Sequence, residues 1–195
     1  CPYEFKRPVR MPLMFFPDNT VLINFGIINR YDLLEALTKQ QGRWCASVAN
    51  ECDDWSGKYP AMNDAWNVFG NPIEPTHRES QDTQILRQML AKPEDARYKH
   101  MGEAETITVI TSRGWVQEAV FLTDDHEAAK RANRDGIRTV TTWDLFKLAH
   151  QCTTDFDDNQ AWTAVQQLDA KGRVHWPCPP CKKGKQVFLA WLKRQ

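Results

Sequence analysis

Residues 119–141, AVFLTDDHEAAKRANRDGIRTVT, place a strand, a helix and a second strand in close succession. The run at 119–123 is apolar without a polar alternate, as in a strand buried on both faces. Residues 126–134 read as a helix that Gly136 closes, and 137–141 are strand-like again. Strands separated by helices predict a parallel sheet covered on both faces, an α/β fold. A chain of 195 residues, 42% hydrophobic and 26% charged, suits one such domain with a small appendage.

The same reading extends along the chain. Residues 13–17 form a short apolar strand. From Thr20 onward Val21, Leu22, Phe25, Ile28, Leu33, Leu34 and Leu37 fall near helical spacing, with a break between two helices marked by Gly26 and Asn29. Residues 43–47 are a second strand candidate, followed by a helix over 48–55. The segment 56–99 is polar and carries Pro60, Pro72, Pro75 and Pro93, so it reads as an excursion with one or two helices, the clearest over 81–90. Gly102 opens a helix that runs to 112, and helices over 143–150 and 159–170 complete the pattern. The expected organisation is an N-terminal arm or non-native remnant at 1–10, an α/β domain at 11–150 with a helical insertion at 56–99, and a C-terminal helical extension at 151–195.

Charge excludes an overall electrostatic attraction to nucleic acid. Lys+Arg and Asp+Glu both number 25, for a formal net charge of zero, so any such attraction must come from local patches. No apolar run approaches the roughly 20 residues of a membrane span. Pro12 and Pro17 interrupt the N-terminal apolar stretch, which therefore does not read as a signal peptide. The six cysteines then read as reduced thiols in a cytoplasmic protein.

Acids gather where a parallel sheet puts its chemistry, at the carboxyl ends of the strands. Asp18 follows the first strand, and Asp124 and Asp125 follow 119–123. Glu51 lies one turn beyond the second strand candidate, and Glu103 and Glu105 stand in the first turn of the Gly102 helix. Each has a simpler reading: Asp18 and Asp125 could cap the helices that follow them, and Glu103 and Glu105 could complement a helix dipole. Glu51, in VANEC, sits among apolar residues where an unpaired acid is costly. Together the acids cannot all stay ionised without a cation, and oxygen donors favour Mg²⁺ or Mn²⁺. Such an ion can activate water and offset charge on a phosphodiester.

The segments DNTVLINF, VANE, GEAETI and FLTDD, in that order, resemble the PIN-domain nucleases over about residues 13–149. The Gly-Glu-x-Glu motif followed by an Asp-Asp strand end is similar to the subgroup of bacterial toxin-type and toxin-derived PIN proteins. The resemblance implies a three-layer α/β/α fold with a central parallel sheet and a metal-dependent endoribonuclease, often the toxin of a type II toxin–antitoxin pair. It implies Asp18, Glu51, Glu103 and Asp124 as catalytic metal-binding acids around one pocket, supported by Asn19, Thr20, Glu105 and Asp125. Where the subgroup often has an Arg after its Asp-Asp pair this chain has Ala129, and Lys130 or Arg131 is expected to supply the charge. RNA is the implied substrate, and an antitoxin protein or a second copy of the chain is the protein partner open to it. The alternative is a non-catalytic PIN-like scaffold that acts through its insertion or tail.

The C-terminal stretch HWPCPPCKKGKQVFLAWLKR stands apart. Cys178 and Cys181 have zinc-ligand spacing, with His175, Cys152 or His150 to complete a set. One such pair without a second favours a proline-stiffened linker with two free thiols over zinc. Lys182, Lys183 and Lys185, interleaved with Phe188 and Trp191, are candidate RNA contacts on a terminal helix that could equally be a packing element.

Overall fold

The computed structural model describes residues 13–174 and 179–194. Strands β1 (Met14–Pro17), β2 (Ala119–Leu122) and β3 (Arg138–Val140) form a parallel sheet in the order β1-β2-β3. Phe16 stands opposite Phe121, and Phe121 opposite Thr139. Around the sheet run α1 (Asn19–Ile28), α2 (Tyr31–Thr38), α3 (Ala46–Ser56), a 3-10 turn at Pro60–Asp64, and α4 (Ala65–Phe69). Then come α5 (His77–Leu90), α6 (Met101–Ser112), α7 (His126–Arg134), α8 (Thr142–Cys152), α9 (Asp158–Ala170), a 3-10 turn at Pro180–Lys183, and α10 (Lys185–Leu192). The chain is thus mixed α/β, as the alternation of runs predicts.

Side chains of β2 alternate between two cores, which shows the sheet covered on both faces. Ala119 and Phe121 join Phe16 in a smaller core with Leu86 of α5, Ile107 of α6 and Ala128 of α7. Val120 and Leu122 face a larger one, built from α1, α2, α3 and the C-terminal helices α8, α9 and α10. The C-terminal extension therefore shares a core with the sheet. Phe188 of α10 is fully buried and lies 5.8 Å from the Trp162 ring, while Lys193 pairs with Asp158 of α9 at 2.6 Å.

Three local expectations need correction. Residues 43–47 do not form a strand. Arg43 N donates to Phe15 O at 2.9 Å, but Ile73 N already donates to Trp44 O at 2.8 Å, so the backbone changes partner before a ladder can build. The helix begins at Ala46 instead. Gly26 does not break the first helix; it sits inside α1, where Met62 Cγ would lie 2.6 Å from an added Cβ. The break falls at Asn29 alone, whose left-handed backbone (φ 53°) ends α1. Finally, α5 starts at His77, ahead of the 81–90 span. Thr76 and Glu79 form a capping box there: Glu79 N donates to Thr76 Oγ1 at 3.3 Å and Thr76 N to Glu79 Oε2 at 2.7 Å.

Residues 1–10, His175 and Cys178 lie outside the described residues, and with them the N-terminal arm and half of the cysteine pair. Cys181 is buried and Cys152 exposed. No helix among the described residues is long and apolar enough to cross a membrane.

Candidate functional site: an acidic cleft at the strand ends

Parallel pairing places Asp18 and the Thr123-Asp124-Asp125 turn side by side, since Asp18 N donates to Leu122 O at 2.8 Å and Thr123 N to Val140 O at 3.0 Å. A cleft of about 620 Å³ opens over this rim. Asp18, Glu51, Glu103 and Asp125 all line it, with Asn19 and Thr20 from the first turn of α1. N-terminal residues of α1, α3 and α6 line it together with Asp125, the N-cap of α7.

Asp18 occupies the N-cap position of α1 without making the backbone bond of a cap. Its Oδ2 instead accepts from Thr20 Oγ1 at 2.6 Å and Thr123 Oγ1 at 3.0 Å. Burial drives its pKa well above the usual carboxylate range, Glu103 and Glu51 add repulsion, and the two hydroxyls oppose the rise only in part. Glu51 is pushed up to about 7, first by burial and then by Glu103. Its Oε1 accepts from Gly102 N at 3.2 Å. That approach needs the glycine, because an added Cβ would stand 3.0 Å from Val48 Cγ2 and 3.2 Å from Glu51 Oε1.

Asp125 has both roles open to it in the sequence: Oδ1 caps α7 by accepting from Ala128 N at 2.8 Å, and the side chain still borders the cleft. Beside it lies His100, a residue that no reading of the sequence singles out. His100 Nδ1 is 3.4 Å from Glu103 Oε1 and Nε2 is 3.3 Å from Asp95 Oδ2. Its bond to Glu103 raises its pKa above the ordinary histidine value, against the effect of burial. The backbone there is left-handed (φ 67°), a strained conformation for a side chain of this size. Ligand atoms of His100, Glu103 and Asp125 lie within 4.8 Å of one another. The only sequence signal for His100 is its place next to the Gly-Glu-x-Glu motif.

Two of the expected acids face elsewhere. Asp124 Oδ1 accepts from Thr142 N at 2.8 Å, and Oδ2 accepts from Thr142 Oγ1 at 2.6 Å and Asn24 Nδ2 at 2.7 Å. Asp125 has extended backbone angles, so neighbouring carboxylates diverge; Asp124 turns beneath the rim toward α8 and Asp125 toward the cleft. Glu105 points to α3, where Ser47 N and Ser47 Oγ both donate to it at 2.8 Å, satisfying a first-turn amide of that helix.

The expected cations are also elsewhere. Lys130 is 4.0 Å from Glu127, Arg131 pairs with Asp135 at 2.8 Å, and Lys185 donates to Asn159 at 2.9 Å. None of these, nor Lys182 or Lys183, lines the cleft. Lys99 lines the cleft but pairs with Asp95, and Arg173 of the C-terminal extension lies behind the lining. Its Nε donates to Asn24 Oδ1 at 2.9 Å and its Nη2 to Thr20 O at 3.0 Å, which sets a guanidinium under the cleft. Asp124 and Asp18 both interact favourably with its charge. Nothing near residue 173 in the sequence announces this.

The donor set suits a hard cation. Asp18, Glu51 and Glu103 repel one another at the base of the cleft, where Asp18 and Glu103 are buried, and Asn19 Oδ1 is buried with no hydrogen-bond partner among the described residues. A cation would satisfy that oxygen and relieve the repulsion, and His100 makes Mn²⁺ as acceptable as Mg²⁺. Comparison of the chain with models of protein families, with curated proteins and with solved structures finds no match.

Proposed function

We propose that the chain is a metal-dependent endoribonuclease with a PIN-like fold. Three acids support the reading more than any other feature: Asp18, Glu51 and Glu103, from separate stretches of sequence, crowd one cleft at the carboxyl ends of a parallel sheet. With Asp125, and with Asn19 Oδ1 and His100 beside them, they would hold Mg²⁺ or Mn²⁺. Bound there, the ion supplies Lewis-acid stabilisation of the phosphodiester and an acidified water. The chain's own residues orient this set. Thr20 and Thr123 fix the Asp18 carboxylate, Gly102 N fixes Glu51, and Asp124 joins α1 to α8 beneath the floor. A place as the toxin of a toxin–antitoxin pair belongs to the same proposal, with an antitoxin segment covering the cleft.

The test is cleavage of labelled single-stranded and structured RNA in EDTA, Mg²⁺ or Mn²⁺, for the wild type and for Asp18→Asn and Glu103→Gln. Metal-dependent cleavage is expected, falling by roughly 100-fold or more in either variant while the circular dichroism spectrum is kept. A folded wild type that cuts no RNA with either ion overturns the proposal.

A further inference from the structure

One wall of the cleft differs from the rest in its donor atoms. His100, Glu103 and Asp125 come from the N-cap of α6, its first turn and the N-cap of α7, and one ligand atom from each lies within 4.8 Å of the others. The donor from His100 is a nitrogen. Its ring is buried between two carboxylates, with Nδ1 3.4 Å from Glu103 Oε1 and Nε2 3.3 Å from Asp95 Oδ2. Asp95 does not line the cleft. It is fixed from outside: Lys92 N donates to Oδ2 at 2.8 Å, and the Lys99 ammonium pairs with Oδ1. Asp125 is held by its Oδ1 at the cap of α7, which leaves Oδ2 as a donor atom. A site built for a hard cation alone needs neither a nitrogen donor nor a carboxylate behind it.

We propose that His100, Glu103 and Asp125 form a transition-metal position on this wall, which takes Zn²⁺ or Co²⁺ in preference to Mg²⁺, and that Asp95 is the residue that orients the imidazole. The proposal rests on the reading of the cleft as a cation site and adds the class of ion that this wall selects. A neutral imidazole donates one N–H and offers one lone pair. With the Nε2–H given to Asp95, the lone pair of Nδ1 faces Glu103; a carboxylate behind the ring fixes that tautomer and makes the nitrogen a stronger donor. The 3.4 Å between Nδ1 and Oε1 matches two donors about 2.0–2.1 Å from one tetrahedral ion. Imidazole suits Zn²⁺ and Co²⁺, whereas Mg²⁺ keeps to oxygen donors and its own waters. A second observation points to a ligand here: Asn19 Oδ1, buried in the same cleft, has no hydrogen-bond partner among the described residues. Because Glu103 also repels Asp18 and Glu51, an ion held by His100 reduces the negative charge facing both.

The probe is Co²⁺ alone, without RNA, titrated into the full chain in a large excess of Mg²⁺. Low-coordinate Co²⁺ with an imidazole ligand absorbs visible light far more strongly than the hydrated ion. A thiolate ligand adds a near-ultraviolet band, which tells binding at a cysteine apart. Binding with the visible band and without the near-ultraviolet one is expected, and Zn²⁺ should displace it where Mg²⁺ does not. His100→Asn removes the nitrogen yet tolerates the left-handed backbone, and Asp125→Ser removes a ligand oxygen yet keeps a cap for α7. Asp95→Asn keeps a hydrogen-bonding group behind the ring and removes its charge. Asp95→Asn should weaken Co²⁺ binding about 10- to 100-fold, and His100→Asn at least as much, with the visible band lost in His100→Asn and the circular dichroism spectrum kept in all three. A folded wild type that binds no Co²⁺ in Mg²⁺, or a band and affinity unchanged in both His100→Asn and Asp125→Ser, overturns the proposal. Unchanged affinity in Asp95→Asn overturns the role given to Asp95. Histidine-dependent Co²⁺ binding by a chain that cuts no RNA removes the nuclease reading and leaves this position; Mg²⁺-dependent cleavage without such binding does the reverse.

Discussion

Glu51 holds its proton to about pH 7 in the folded chain, whereas a free glutamate releases it near 4.5. Between those values the native state binds more protons than the unfolded one, so the metal-free protein loses stability as pH rises through that window. Asp18, also shifted upward, acts in the same direction. For Glu51 the loss is on the order of 1–3 kcal/mol, allowing for its partial exposure. Urea unfolding in EDTA at pH 5 and pH 8 should show the fall, and Glu51→Gln should flatten it. An unchanged difference between the two pH values in Glu51→Gln would mean that another group carries it. Saturating Mn²⁺ should restore stability at pH 8, because a ligand that binds only the native state stabilises it by mass action.

At the scale of elements, one ion pair adds to the apolar packing between α5 and α6. Arg113, just past the end of α6, places Nε 2.8 Å from Glu79 Oε1, and Glu79 at the same time closes the capping box of α5. Arg113 holds Glu79 down to about 2, so its contribution is complete above about pH 4.5 and is lost as pH falls toward 2. Glu79→Gln should cost about 1–2 kcal/mol near neutral pH and roughly a quarter of that at pH 2.5, read from denaturant midpoints. A cost that does not fall between pH 7 and pH 2.5 would point to packing as the cause.

The elements differ in how well the sequence announces them. β2, α7 and β3 are legible because apolar runs, an N-cap aspartate and a closing glycine agree on the same boundaries. Residues 43–47 mislead because a short apolar run cannot reveal that its backbone is divided between two partners. Thr76-x-x-Glu79 marks a helix start, but the prolines around it draw attention to breaks instead. At the site, the end of the first strand and a glycine motif point to Asp18 and Glu103, and apolar neighbours mark Glu51 although the strand candidate before it does not form. Which way Asp124 and Asp125 turn depends on Thr142 and Asn24, which are distant in sequence or polar without pattern. Arg173 acts through tertiary contacts alone, and His100 through Asp95 and Glu103, neighbours brought to it by the left-handed backbone at residue 100.

Across the whole molecule, Arg173 joins the C-terminal extension to the floor of the cleft. It is mostly buried, and removing it leaves Asp124 under the site without its cation. Arg173→Met should cost about 2 kcal/mol of stability. Arg173→Lys should recover only part of that, since an ammonium cannot span Asn24 Oδ1 and Thr20 O as the guanidinium does. Both values come from chemical denaturation; full recovery by lysine would show that charge alone matters there. The same contact has a consequence for biosynthesis. Domains fold as units during synthesis, and the underside of this cleft is completed by a residue made long after the acids. A nascent chain whose sheet has already paired would still carry an unbalanced acid cluster, and the site reaches its final form only after residue 173 has emerged.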